Sequence, residues 1–262
     1  GINVTDDHSA RARGKAAWRD THVRFAGAAV YGLQATFLEN WVFTTQDDLN
    51  CKAPERFASF FPRTLLPDVT TLDHEASDAP ATEVAQILAS GPDAGGHAVE
   101  AFYFAAITSA RQRLWLTTPY FVPGEPLLAA IASAAQRGVD VRLLFPRKTD
   151  SAWVDAASRT FHDELLAAGA QVFLYEPAML HAKTAVVDDA LAIVGTANLD
   201  NRSFRLNFEV IAAFYGGPCV AKLARAFEDD LTRATAQTRH ESKSPFVQRL
   251  IASVARLMAP QL

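Results

Sequence analysis

Between His181 and Glu209 the chain reads HAKTAVVDDALAIVGTANLDNRSFRLNFE, and this stretch leaves few ways for its neighbourhood to fold. Ala185 to Val187, Leu191 to Val194 and Phe208 to Phe214 have strand character, broken by an Asp-Asp pair and by a turn at Gly195-Thr196. On a strand, residues i and i+2 share a face. His181 and Lys183 therefore point the same way, and Ala182 points into the other layer. An imidazole beside an ammonium suits the handling of a phosphate. The His can attack phosphorus or shuttle a proton, and the Lys can neutralise charge on the non-bridging oxygens. After the turn, Asn198 can bring an amide donor to the same phosphate. Glu209 can accept from the second ring nitrogen of a His and fix its tautomer.

The spacing is regular: His-x-Lys, four residues, Asp188, six residues, then Gly-Thr-x-Asn. This pattern resembles the signature of the phospholipase D superfamily, in which Glu209 also sits where the family has a carboxylate. The resemblance implies a catalytic set of His181, Lys183, Asn198 and Glu209, with Asp188 as a further signature position. Within that set Asp188 is read as holding the loop, not as touching substrate.

Composition narrows the partners. With 262 residues, 49% of them hydrophobic, the chain can bury the core of one large domain or of two fused halves. A formal charge of −4 argues against a surface that coats nucleic acid. Cys51 and Cys219 are too few for a disulfide framework or a metal set. No apolar run is long enough to span a bilayer.

A second regularity appears when the chain is shifted by 190 residues. Gly27, Val30, Leu33 and Phe37 then fall on Gly217, Val220, Leu223 and Phe227, so GAAVYGLQATF lies over GPCVAKLARAF. Each segment follows an acid-led apolar strand, Asp20 to Phe25 in one case and Glu209 to Phe214 in the other, and each continues as a helix. Under this repeat Asn3 is the counterpart of Asn198, and Asp20 that of Glu209. Asn3 and Asp20 thereby join the catalytic set. A first His-x-Lys pair would lie before residue 1. The expectation is a fragment of a two-motif enzyme that is missing an N-terminal segment, and that is inactive or nearly so by itself.

The segment 42–80 carries four prolines and the cluster Phe57, Phe60, Phe61, Leu65 and Leu66, which predicts an irregular connection. From Val84 strands and helices alternate: strands at 84–90, 113–118, 139–145 and 171–175, with helices at 98–110, 125–136 and 151–168. The fold class is α/β, a phospholipase D-like α/β/α sandwich of two pseudo-symmetric halves with mixed sheets, the first half incomplete. The division is 1–80 for the remainder of the first half and the connection, 81–240 for the second half, and 241–262 for an amphipathic C-terminal helix.

WRDTHVRFAG, Ser90-Gly91-Pro92-Asp93, the Thr117-Thr118-Pro119-Tyr120-Phe121 segment and an apolar tail closed by Pro-x-Leu are similar to segments of bacterial cardiolipin synthases. The resemblance implies transfer of a phosphatidyl group between two phosphatidylglycerol molecules through a phosphohistidine, with no metal or organic cofactor. It leaves open which histidine of the pair is the nucleophile. It makes Tyr120 and Thr118 headgroup contacts, and Arg202 and Arg205 attractors of anionic lipid. Arg147 and Lys148 could act similarly. The partners implied are phosphatidylglycerol and a membrane surface, not nucleic acid, with a peripheral place on the cytoplasmic side of the bacterial inner membrane. Two other readings use the same residues: a phosphodiesterase or nuclease of the superfamily, and a non-catalytic lipid-binding protein.

Overall fold

The computed structural model describes residues 2–24, 27–46, 59–61, 83–92 and 97–238. The tail at 241–262 and most of 42–80 lie outside the described residues. After short helical turns at 6–16, including α1 (Ala10–Arg13), come α2 (Ala29–Thr45), β1 (Val84–Ser90), α3 (Ala98–Ser109), β2 (Arg113–Thr117) and β3 (Phe121–Val122). Then follow α4 (Glu125–Gln136), β4 (Asp140–Pro146), α5 (Ala152–Ala167), β5 (Gln171–Tyr175), β6 (Thr184–Val187) and β7 (Leu191–Gly195). The last elements are β8 (Leu199–Asp200), α6 (Asn201–Arg205), β9 (Glu209–Tyr215), α7 (Gly217–Leu231) and β10 (Ala234–Gln237).

Eight strands form one sheet in the order β1-β9-β7-β6-β2-β4-β5-β10. The β2-β4-β5 pairs are parallel and every other pair in this sheet is antiparallel. The parallel strands are joined by α4 and α5, as a crossover requires. β3 and β8 form a separate parallel pair.

Both faces are covered, so β6 is buried at every position and reads in sequence as an unbroken run. On one face Leu114, Leu116, Leu143, Ile193 and Ala213 pack with Val99, Ile107, Ile131 and Leu165 of α3, α4 and α5. On the other, Trp115, Val186, Val194 and Ala212 pack with Val220, Leu223 and Phe227 of α7. α2 lies on this second face, with Gly32 so close to Ile87 that a Cβ there would stand 2.8 Å from it.

Two expectations fail here. No strand forms over 20–24, the described part of the one expected at 20–25: residues 21–24 are irregular, and Arg19 makes a single parallel bridge to Leu180. A strand needs a neighbour along its length, and the described residues offer this segment one pairing position. The irregular connection also begins later than 42, because α2 continues to Thr45. The helix ends at Gln46, whose backbone is left-handed at φ 56°.

Candidate active site

The site lies at one edge of the sheet. Lys183 precedes β6, Gly195 ends β7, Glu209 begins β9 and Ser90 ends β1, so four neighbouring strands finish in one row. The row is stitched by Gly195 N–H to the Lys183 carbonyl (3.2 Å) and Thr196 N–H to the Val210 carbonyl (3.0 Å).

His181 is placed from both sides. Its own N–H donates to the Arg19 carbonyl (2.7 Å), and Arg19 N–H donates to the Met179 carbonyl (2.8 Å). This brings Trp18, Arg19 and Asp20 against residues 179–181. The Arg19 guanidinium is clamped by Asp230 of α7, with Nε 3.1 Å from Oδ1 and an Nη 2.9 Å from Oδ2. Asp20 then accepts from His181 Nδ1 at 2.8 Å and from His8 Nε2 at 3.1 Å, both through Oδ2, while Oδ1 takes the Thr21 N–H at 2.7 Å. The Asp20 side chain is 1% exposed and that of His8 3%. The rings of His8, Trp18 and His181 close on one another, with centroids 5.2 to 5.4 Å apart.

Lys183 completes the chain. Its Nζ is 2.8 Å from His181 Nε2 and 2.5 Å from the His181 carbonyl. The i and i+2 side chains do meet on one face, while Ala182 is buried in the core of the α7 face. A consistent assignment follows from donors and acceptors: with Nδ1–H given to Asp20, His181 Nε2 carries a lone pair and accepts from the ammonium.

Charge and burial compete here. Burial lowers the pKa of His181; the hydrogen bond to Asp20 opposes this, and Lys183 adds to it. Burial raises that of Asp20, yet the His181 hydrogen bond, the Lys183 charge and the Thr21 N–H bring it below the ordinary value. Burial brings Lys183 down to about 8, against the upward pull of Asp20, Glu209 and Asp200. Among the described residues one grouping has atoms suited to a cation, His8, Asp20 and His181, with donor atoms within 4.8 Å of one another. Those atoms already bond one another, and the Lys183 ammonium faces them, so the arrangement is a hydrogen-bond chain and not a ligand set.

Other expected residues fall elsewhere. Glu209 does not reach His181, because β7 lies between β9 and β6. Its carboxylate accepts from Thr196 Oγ1 and from Asn207 Nδ2 (3.2 Å), and its charge favours the protonated form of Lys183. Asp188 stands at the far end of β6, roughly 13 Å along the strand from the site. There its carboxylate caps the Arg111, Gln112 and Arg113 N–H groups at 2.8 to 3.1 Å, in a left-handed backbone of φ 51°. Asn198 has its N–H on Ser203 Oγ (3.1 Å) and its side chain bonded to Asp200, while Oδ1 is buried without a partner. Asn3 is exposed, with its carbonyl on Thr5 N–H.

Thr118 cannot contact a headgroup: it is fully buried, donating to the Tyr120 carbonyl (2.8 Å) and accepting from Leu199 N–H (3.3 Å). The Tyr120 hydroxyl donates to Asp150 (2.6 Å), and burial, then Asp150, pushes its pKa up. Arg147 is paired with Glu176, so it is no free anchor for anions. Arg202 and Arg205 are both exposed on α6, Arg205 lying 3.5 Å from Glu100. The sequence reading missed His8, Trp18, Arg19, Asp230 and Asp200. WRDTH was in view as a block, but only Asp20 was drawn from it, and nothing in the local pattern singled out His8.

Residues 103–231 match the family described as "Cardiolipin synthase, PLD-like domain". The chain carries a phospholipase D-like domain of the cardiolipin synthase family. The whole chain is 38% identical, over an alignment of 263 residues, to a protein of Bacillus cereus named cardiolipin synthase 2; the alignment covers 100% of this chain and 48% of that protein. A cardiolipin synthase of Geobacillus kaustophilus is also 38% identical, over 100% of this chain and 49% of its own. The chain therefore spans about half the length of these curated relatives. In fold, this phospholipase D-like chain is similar to Nuc of Salmonella typhimurium, a phospholipase D family member, with TM-score 0.52 and 16% identity over 60% of this chain and 99% of that one. It is also similar to phosphatidylserine synthase of Haemophilus influenzae, with TM-score 0.55 and 17% identity over 70% and 48% of the two chains.

Proposed function

We propose that this chain is one catalytic half of a cardiolipin synthase that transfers a phosphatidyl group from one phosphatidylglycerol to another, releasing glycerol. The observation that carries the reading is the chain Asp20–His181–Lys183, joined at 2.8 Å and 2.8 Å. Asp20 holds Nδ1 and leaves Nε2 as the reacting atom, the division of labour that orients an imidazole in a triad. The Lys183 ammonium occupies that lone pair. A bound phosphodiester offers Lys183 a charged oxygen in exchange, which frees Nε2 as charge is neutralised. His181 then either attacks phosphorus, forming the P–N bond as the P–O bond to glycerol breaks, or passes a proton to and from the alcohol oxygens. The partner imidazole takes the other task, and both roles use Nε2.

The partner is proposed to come from a first half built like the second. The sequence holds one His-x-Lys pair, while the curated relatives are about twice as long. By the repeat Glu209 is the counterpart of Asp20, and it is left to orient the second imidazole. α2 and α7 support the same reading. Phe227 on α7 is 4% exposed against its sheet, whereas its counterpart Phe37 on α2 is 57% exposed. α2 thus meets the sheet through its Gly32 face and leaves its Phe37 face largely exposed.

Phosphatidylglycerol and a membrane surface are accordingly the proposed partners, with a peripheral place on the bacterial inner membrane. Among the described residues no helix is long and apolar enough to cross a bilayer. The proposed contacts are exposed Arg202 and Arg205 and the amphipathic segment at 241–262. The test uses the full-length protein on phosphatidylglycerol vesicles. Cardiolipin and glycerol should appear in equal amounts, and His181→Asn should lower the rate by at least roughly 1,000-fold. Cleavage of DNA without any lipid product would overturn the reading in favour of a nuclease.

A further inference from the structure

His8 has no part in the chemistry described so far, yet it is one of the most enclosed polar side chains near His181. Its two ring nitrogens are both engaged: Nε2 with Asp20 Oδ2 at 3.1 Å, and Nδ1 with Thr5 Oγ1 at 3.3 Å. Its ring meets Trp18 and His181 edge-on, at centroid distances of 5.4 and 5.2 Å. The hydrogen bonds fix a single self-consistent pattern. The Thr5 hydroxyl donates to His8 Nδ1, His8 Nε2–H and His181 Nδ1–H both donate to Asp20, and Lys183 donates to His181 Nε2.

We infer that His8 is a positioning residue that shares the Asp20 oxygen with His181 and so sets how tightly His181 holds its proton. A carboxylate oxygen with two N–H donors has part of its charge drawn toward each. Less of that charge is then available to favour an imidazolium at His181. A proton added to His8 would act in the same direction, by repulsion across the 5.2 Å between the rings. The other charges facing His181 are Asp20 itself and Lys183, with Glu209 and Asp200 beyond the lysine. The Arg19 guanidinium is divided between the Asp230 carboxylate and, through Nη1, the Asp20 carbonyl and Thr21 Oγ1. His8 is thus the neighbour that removes negative charge from the site at the atom that orients the reacting ring. Its effect is to keep His181 neutral, with Nε2 ready to react, at a lower pH than an Asp–His pair alone would allow.

The inference rests on the reading of His181 as the reacting group, but its test reads a proton and not turnover, so the two can fail separately. The experiment is ring-¹⁵N NMR of His181 in the full-length protein through a pH titration, for the wild type, His8→Phe and His8→Gln. Phe keeps the ring contacts and loses the donor; Gln loses the ring and keeps an N–H for Asp20. His8→Phe should raise the His181 midpoint by about half a pH unit or more, a roughly threefold gain in proton affinity. His8→Gln should return it most of the way. An unmoved midpoint in His8→Phe, or an equal rise in both variants, overturns the inference. The wild-type spectrum decides the matter even if a variant does not fold. It should show a His8 ring proton on Nε2, and a ring proton on Nδ1 alone would mean that no bond to Asp20 is donated.

Discussion

Asp20 Oδ2 lies 2.8 Å from Nδ1 of His181, a residue 161 positions further along the chain. No element of regular structure holds Asp20. It is delivered by the pairing of Arg19 with residues 179–181 and by the clamp of Arg19 on Asp230. The orientation of the proposed reacting group is therefore a tertiary property of the whole domain, and it can be probed from several sides.

Asp20→Asn keeps the size of the side chain and removes its charge. The imidazolium that forms during proton transfer then loses its partner, and an amide can present its NH₂ to Nδ1 and favour the wrong tautomer. In the full-length protein kcat should fall by roughly 10³ to 10⁴ with little change in KM. A loss under tenfold would mean that something other than Asp20 orients His181.

Lys183 ties activity and stability to pH in opposite ways. Its folded pKa of about 8 lies below the ordinary lysine value, so above pH 8 it loses the proton that neutralises phosphate, and turnover should decline. Between about 8 and its unfolded value the unfolded chain binds more protons than the folded one, so stability should rise with pH in that window. Denaturant unfolding at a series of pH values checks this. Lys183→Met should flatten the rise; an unchanged slope in that variant assigns it to another group.

Asp188 should be a stability residue. Asp188→Ala removes the acceptor for three backbone N–H groups and puts alanine in a left-handed backbone, φ 51°, that Asp tolerates better. Unfolding free energy should drop by about 1–3 kcal/mol, while kcat measured well below the melting temperature stays within about threefold of wild type. A kcat loss of orders of magnitude in a folded variant would return Asp188 to the catalytic set.

Asp230→Ala removes the carboxylate that clamps Arg19, at a side chain 6% exposed. Breaking this pair should cost about 3 kcal/mol, felt first at residues 18–20. Hydrogen exchange there should accelerate while β6 and β7 remain protected. Equal acceleration across the sheet would show that the clamp supports the whole domain and not this segment.

Much of the region 84–237 was legible because its signals are local. Three segments, 84–90, 125–136 and 171–175, coincide with observed elements, since buried strands read as apolar runs and Arg137-Gly138 marks a helix end. Lys183 beside His181 followed from strand alternation. What escaped depends on which strands become neighbours. Glu209 was expected on a histidine without specifying which, and only the strand order, with β7 between it and His181, shows that His181 is not that ring. Thr118 was expected at substrate, but a hydroxyl at a strand end is as readily consumed inside the fold as offered outside it. His8 sits in a polar stretch with no periodicity, and only the docking of that stretch makes it part of the site.

The bridge between Arg19 and Leu180 has one more consequence. Lifting residues 2–24 away would break that bridge, the Arg19–Asp230 pair and the Asp20–His181 bond, and would leave all eight strands of the main sheet paired. Such an opening is cheaper than global unfolding. A population of molecules can then be fully folded by a melting curve and yet switched off, with the imidazole unmoored. Heat inactivation should accordingly set in below the melting transition and reverse on cooling, as a breathing motion of the N-terminal segment.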